Sequence, residues 1–179
     1  MIVDILILAL LEKRPRHGYE IKKKSSDIFV NELALNNNLL YPALRRLEIS
    51  GAIERDSDGA ASALSRRVYR ITDRGRVILD ELIADFDGVK AGNPNEFLTR
   101  LAFFDLIDAP TRERIVRERL RALERAKARL EGQKDLVARS SIWVQRIFTR
   151  RLQERNADIE WTEGLLGPSA SADGKGTLE

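Results

Sequence analysis

The chemistry open to this chain is narrow. It carries one histidine, His17, and no cysteine. Disulfides and thiolate metal sites are therefore excluded, and His-based zinc or nucleophile–base constellations lack their parts. The acidic residues have no partner histidine, ligand spacing or phosphate-cradling glycine loop beside them. No enzyme, metal or cofactor is expected. What remains is recognition chemistry, and it is densest in LNNNLLYPALRRLEISGAIE, residues 35–54. Asn36, Asn37 and Asn38 offer side-chain amides, which can pair bidentately with an adenine edge. The Tyr41 hydroxyl and the N–H groups of a helix's first turn suit phosphate, and Arg45 can reach guanine or phosphate. Lys22 and Lys23 before this stretch, with Arg66 and Arg67 after it, would add salt-sensitive backbone contacts. The expected partner is double-stranded DNA.

Such residues need a scaffold, and the periodicity supplies one. Ile2 to Glu12 is a nearly all-apolar helix, interrupted only by Asp4 and stopped by Pro15. A second helix is expected from Gly18 to Val30, with Tyr19 in the core. A third begins at Asn36, a good N-cap, with Leu40, Leu44 and Leu47 as its buried stripe and Gly51 as the left-handed residue past its end. Asn38, Tyr41 and Arg45 then fall on the opposite face. Ala52 to Arg55 and Arg67 to Ile71 read as strands joined by DSDGAASALS, and Thr72 caps a fourth helix to about Phe86. Helix, helix, helix, hairpin, helix is a winged helix-turn-helix with a two-stranded wing. Its third helix is the one that enters a major groove.

The remainder reads as mostly α. Asp87 to Asn93 is the linker candidate, and Asn93-Pro94-Asn95-Glu96 is a strong helix start. That helix is expected to run to Ile107 with Phe97, Leu98, Leu101, Phe104 and Ile107 on one face. Val116, Leu123, Leu130, Val137 and Val144 recur every seven residues, which suggests coiled-coil-like packing. Residues 112–151 hold 13 Lys/Arg against 5 Asp/Glu, whereas Glu154, Asp158, Glu160 and Glu163 form an acidic end. A reversal near Arg139-Ser140-Ser141 would set that acidic end beside Arg117, Arg119, Arg121 and Arg125 in an antiparallel hairpin. The alternative is that the basic stretch touches DNA flanking the operator.

HGYEI at 17–21, LYPALRRLE at 40–48, SGAIE at 50–54 and RVYRITDRGR at 67–76 resemble the PadR family of bacterial transcriptional regulators. The resemblance implies an N-terminal winged helix and an extended C-terminal helical region that makes homodimers. It also implies repression at an operator, with release by small aromatic or drug-like effectors in some members. One departure stands out. The family usually has roughly Ser-Pro-Gly-x before Leu-Tyr-Pro, where this chain has Asn36-Asn37-Asn38-Leu39, a change expected to alter operator preference.

The domains expected are a winged helix over 1–86, a linker over 87–93, a helical dimerisation domain over 94–166 and a disordered tail over 167–179. No apolar run reaches the roughly 18 residues of a membrane span, and a cytoplasmic protein is expected. Trp143 and Trp161 read either as dimer core or as an effector-stacking pair. His17 reads as a surface or capping residue, and Arg46 as serving Glu48 or solvent. Two readings from other classes stay open. One is a helical protein-interaction module whose winged helix no longer binds DNA, and the other is primarily a small-molecule sensor.

Overall fold

The structure, a computed structural model, describes residues 1–28, 35–55 and 68–167. The expected end of the second helix at Val30, the connection 56–65, Arg66, Arg67 and the tail from 168 lie outside the described residues. The chain divides into two units, one of residues 1–85 with 98–106 and one of residues 86–97 with 107–179.

The first unit is built around α1 (Ile2–Lys13), in which Ile5 to Leu11 are all buried. Arg14 leaves the helix in an extended conformation, as the residue before Pro15 must. A strand the sequence did not announce follows: β1 (Arg16–His17) pairs antiparallel with β3 (Val68–Ile71), which pairs antiparallel with β2 (Ile53–Arg55) in the order β1-β3-β2. Two residues are too few to show alternation, so β1 exists only through its pairing of Arg16 with Tyr69 and His17 with Val68. Next, α2 (Gly18–Ile28) opens with the His17 N–H donating to Glu20 Oε2 at 2.7 Å.

The third helix, α3 (Asn37–Ile49), is capped by Asn36, whose side-chain oxygen accepts the Leu39 N–H at 3.0 Å. At its far end Gly51 sits at φ 72°, with its N–H on Glu48 O and the Ala52 N–H on Leu47 O. This is the pairing of a Schellman motif, which needs the left-handed residue. The chain is then tied to α4 (Asp73–Ala84): Thr72 donates its hydroxyl to Gly51 O at 2.7 Å and accepts the Gly75 N–H at 3.1 Å. Gly75 lies so close to the turn that a Cβ there would stand 2.1 Å from Ala52 O.

In the second unit, the stretch read as a linker forms α5 (Gly88–Gly92), capped by Asp87 and burying Ala91. The helix expected from 94 to 107 is shorter. α6 (Pro94–Leu101) ends where the chain tightens into a 3-10 turn at Phe104–Leu106, and this rotates Phe103 inward in place of Phe104. Arg100 is fully buried in the first unit, donating Nε to Ile83 O and its second guanidinium nitrogen to Leu82 O and Asp85 O at 2.9–3.1 Å. These carbonyls lie at the C-terminal end of α4, where a buried cation complements the helix dipole and satisfies carbonyls beyond the helical ladder.

The reversal near Ser140 is present. α7 (Ala109–Glu131), α8 (Lys134–Ala138) and α9 (Ile142–Gly164) are separate helices, and α7 packs on α9. The register device is not the one expected. Arg117 bonds Glu113, Arg121 pairs with Glu118, Arg150 and Arg151 pair with Glu154, and Arg155 pairs with Asp158, all within one helix. Three- and four-residue spacings place these partners on neighbouring turns, where pairing orders less side chain than a reach across the hairpin. Arg119 feels the acidic end through the charge of Asp158. Arg119 is buried, donates to Ala91 O at 2.7 Å and lies 5.6 Å over the Phe97 ring. Of the seven-residue row, Val116 and Leu123 are buried, whereas Val144, beyond the break, is exposed.

Candidate nucleic-acid interface

The buried side of α3 consists of Leu40, Ala43, Leu44 and Leu47. The reverse side leaves Asn37, Asn38, Tyr41 and Arg45 exposed, together with Asn36 at the cap. Among the described residues the side chains of Asn38 and Arg45 make no hydrogen bond or ion pair, so an amide and a guanidinium are held on the helix with their donors unspent. Pro42 lies inside the helix and has no N–H, so Asn38 C=O receives no bond from it. That carbonyl is a further acceptor on the exposed first turn.

Two of the residues singled out in the sequence are joined directly. Lys22 Nζ donates to Asn37 Oδ1 at 3.0 Å, tying α2 to the first turn of α3. Lys23 is exposed on the same helix. Tyr41 lies along α2 as well: a Cβ on Gly18 would meet its Cε1 at 3.5 Å, and the side chain is 40% exposed. The glycine of HGYEI is thus the ledge on which the Tyr41 ring rests.

The remaining polar residues of α3 orient it. Arg46 pairs with Asp4 of α1, and Glu48 pairs with Arg55 of β2. Arg46 therefore does not serve Glu48. The i,i+2 spacing turns those two side chains apart on a helix, and each finds a partner on another element. Asp4, the acid that interrupts the apolar run of α1, is the signal for that partner. Tyr19 is not in the core either. It is 58% exposed and stacks on His17, centroids 5.5 Å apart at 14°. The buried face of α2 is Gly18, Ile21 and Ser25, three- and four-residue steps that leave Tyr19 to one side.

In the other unit, Trp143 and Trp161 are 67% and 49% exposed. Arg146 lies 5.2 Å over the Trp143 ring, and Trp161 meets the Phe97 ring edge-on at 6.1 Å. At 1.5 Å per residue the two tryptophans stand about 27 Å apart along α9, so a single chain does not bring them together. Among the described residues no group of acidic or histidine side chains is disposed to hold a metal, and no helix is long and apolar enough to cross a membrane.

The profile of the Transcriptional regulator PadR-like family matches residues 7–81, from the middle of α1 through most of α4. An uncharacterized protein of Lysinibacillus sphaericus is 33% identical over 88 residues, covering 49% of this chain and 81% of that protein. The negative transcriptional regulator PadR of Bacillus subtilis is 18% identical over 174 residues, 92% of this chain and 96% of that one. A crystal structure of Bacillus subtilis PadR in complex with operator DNA is similar at a TM-score of 0.45 and 19% identity, covering 92% of this chain and 97% of that one. On the winged helix described above, the family match over residues 7–81 and the 33% identical relative, the chain belongs to the PadR-like family of transcriptional regulators.

Proposed function

We infer that the protein is a cytoplasmic, homodimeric repressor that reads its operator with α3. The observation that carries this is the two-sided character of that helix. Leucines and an alanine fill one side, and Asn37, Asn38, Tyr41 and Arg45 stand exposed on the other. Asn38 and Arg45 take the base edges, while Tyr41, the N–H groups opened by the Asn36 cap, Lys22 and Lys23 hold phosphates. Asn37, half engaged by Lys22, fixes the register of the first turn. Arg66 and Arg67 are proposed as wing contacts on their sequence alone. Two copies related by a two-fold axis would read half-sites about one helical turn apart. The direction of regulation draws on the curated relative named a negative regulator.

A mobility shift with DNA upstream of the protein's own gene, at two salt concentrations, tests the reading. Wild type should bind with sequence preference and weaken with salt, and Tyr41→Phe with Arg45→Ala should lose the preference. Equal, weak binding to any duplex would sink the operator-reading role and favour a protein-interaction module.

An effector role is the finer part of the proposal. Trp143 and Trp161 expose their rings, which suits a flat aromatic compound, and their separation along α9 means that a site using both must be shared between two copies. Saturable quenching of tryptophan fluorescence by a planar aromatic acid, accompanied by release of DNA, is the expected result.

A further inference from the structure

Between α3 and the strand β2 lie only Ser50, Gly51 and Ala52. This corner is held on one side by Thr72, whose hydroxyl donates to Gly51 O at 2.7 Å and whose N–H donates to Ala52 O at 3.1 Å. On the other side an ion pair spans it. Arg55, the last residue of β2, donates Nη2 to Glu48 Oε2 at 2.6 Å and sets its Nε on Glu48 Oε1. Two nitrogens on two oxygens fix the angle between the groups as well as their separation. The Glu48 side chain is 26% exposed, so the fork is partly shielded from water.

The pair ends a row that crosses the whole sheet. Arg55 is opposite Tyr69 on β3, and Tyr69 is opposite Arg16 on β1. Arg16 is buried and donates Nε to Leu10 O of α1 at 3.1 Å. At one level along the strands, α1 thus anchors one edge of the sheet and α3 the other. Glu48 is also the acid of α3, in a helix whose other charged residues are Arg45 and Arg46. A free carboxylate there would repel phosphate, and a carboxylate closed by a guanidinium largely does not. Charge alone gives no reason for an acid on a DNA-reading helix, whereas position does.

We propose that Glu48 and Arg55 are positioning residues for operator recognition. Their fork holds β2, the root of the wing, at a fixed angle to α3, so that the groove contacts of α3 and the backbone contacts of the wing engage DNA in one register. The proposal rests on the reading of α3 as the operator-reading helix, and the pair itself touches neither base nor phosphate. Random duplex is held by phosphate charge, whereas the operator needs both sets of contacts in place together. Loss of the fork therefore falls on the operator complex.

Neutral variants with opposite effects on charge test it, on the DNA upstream of the protein's own gene and on a random duplex. Glu48→Gln removes a negative charge and Arg55→Gln a positive one, so electrostatics alone moves their affinities in opposite directions. Both should nevertheless lower the ratio of upstream to random-duplex affinity, by about ten-fold each. Glu48→Gln combined with Arg55→Gln should lose no more than either alone, because a single interaction is removed. Arg55→Lys keeps the charge without the fork, and should hold random duplex as wild type does while recovering only part of the ratio. Melting curves should stay close to wild type, as for an exposed ion pair, since the Thr72 bonds still hold the corner. Unchanged ratios, ratios that rise and fall with charge, or losses that add in the double variant would overturn the role. Full recovery of the ratio by Arg55→Lys would reduce the pair to a charge and overturn it as well. A wild-type protein with no preference between the duplexes would overturn the operator reading itself, and this inference with it.

Discussion

Lys22 of α2 and Asn37 at the first turn of α3 are joined by a 3.0 Å hydrogen bond between ammonium and amide oxygen. A residue suited to phosphate and a residue suited to a base edge are thereby coupled before any DNA arrives. Asn37 has its acceptor engaged and its N–H2 group left to donate. Because the bond is exposed, a double-mutant cycle of Lys22→Met and Asn37→Ala in thermal unfolding should give a coupling of only about 0.5–1 kcal/mol. In DNA binding, Lys22→Met should reduce the slope of log affinity against log salt by about 1. An unchanged slope would remove Lys22 from the phosphate contacts.

Gly75 tolerates no side chain. A Cβ there would stand 2.1 Å from the Ala52 carbonyl and 2.7 Å from Ile71 Cγ1, and the first of these is backbone held by Thr72. Gly75→Ala should cost about 1–3 kcal/mol or more through forced backbone shifts, read as a lower urea midpoint. Thr72→Ala, which removes the cap and the bond to Gly51, should cost about 0.5–2 kcal/mol, and Thr72→Ser should largely restore it.

Arg100 should be among the most sensitive positions outside the recognition helix. Its guanidinium serves three carbonyls at the end of α4 from a fully buried position. Arg100→Met leaves them without their cationic donor, with an expected loss of about 2–5 kcal/mol. Arg100→Lys should recover little, because an ammonium cannot reproduce the planar fork. Urea unfolding of the three proteins measures this, and a Lys variant as stable as wild type would refute the fork argument.

Acid should weaken the C-terminal unit through its helix caps. The Lys90 N–H holds the Asp87 carboxyl below its usual range, and the Thr111 N–H does the same for Asp108. A carboxylate depressed in the folded state stabilises fully above its unfolded pKa of about 4, and loses that contribution as pH falls through the folded value. The melting temperature should therefore fall on acidification below about pH 4. Asp87→Asn with Asp108→Asn keeps both caps and should show a shallower decline.

Much of the first unit is legible from local rules, and its failures are instructive. The Asn36 and Thr72 caps, the left-handed Gly51 and the Leu40–Leu44–Leu47 stripe involve partners a few residues apart, so residue type and spacing suffice to find them. Strand β1 escapes the same rules because two residues have no period. The placement of Tyr19 escapes because an aromatic in an amphipathic window is compatible with either face until the neighbouring elements are fixed. The exposed side of α3 follows directly from its buried side, whereas the Lys22–Asn37 bond depends on how α2 crosses it.

The sequence by itself determined where most helices begin, which side of α3 is apolar, and that one histidine and no cysteine are available to the chain's chemistry. Each of these depends on short-range geometry: cap bonds, 3.6-residue periodicity and the inventory of side-chain groups. Only the tertiary structure decided that Arg100 and Arg119 are buried on backbone carbonyls, that Arg46 answers Asp4, and that the α7–α9 ion pairs stay within their own helices. A long cationic side chain reads as solvated in any sequence. It becomes internal only when folding gathers enough unpaired carbonyls around it to offset the loss of water.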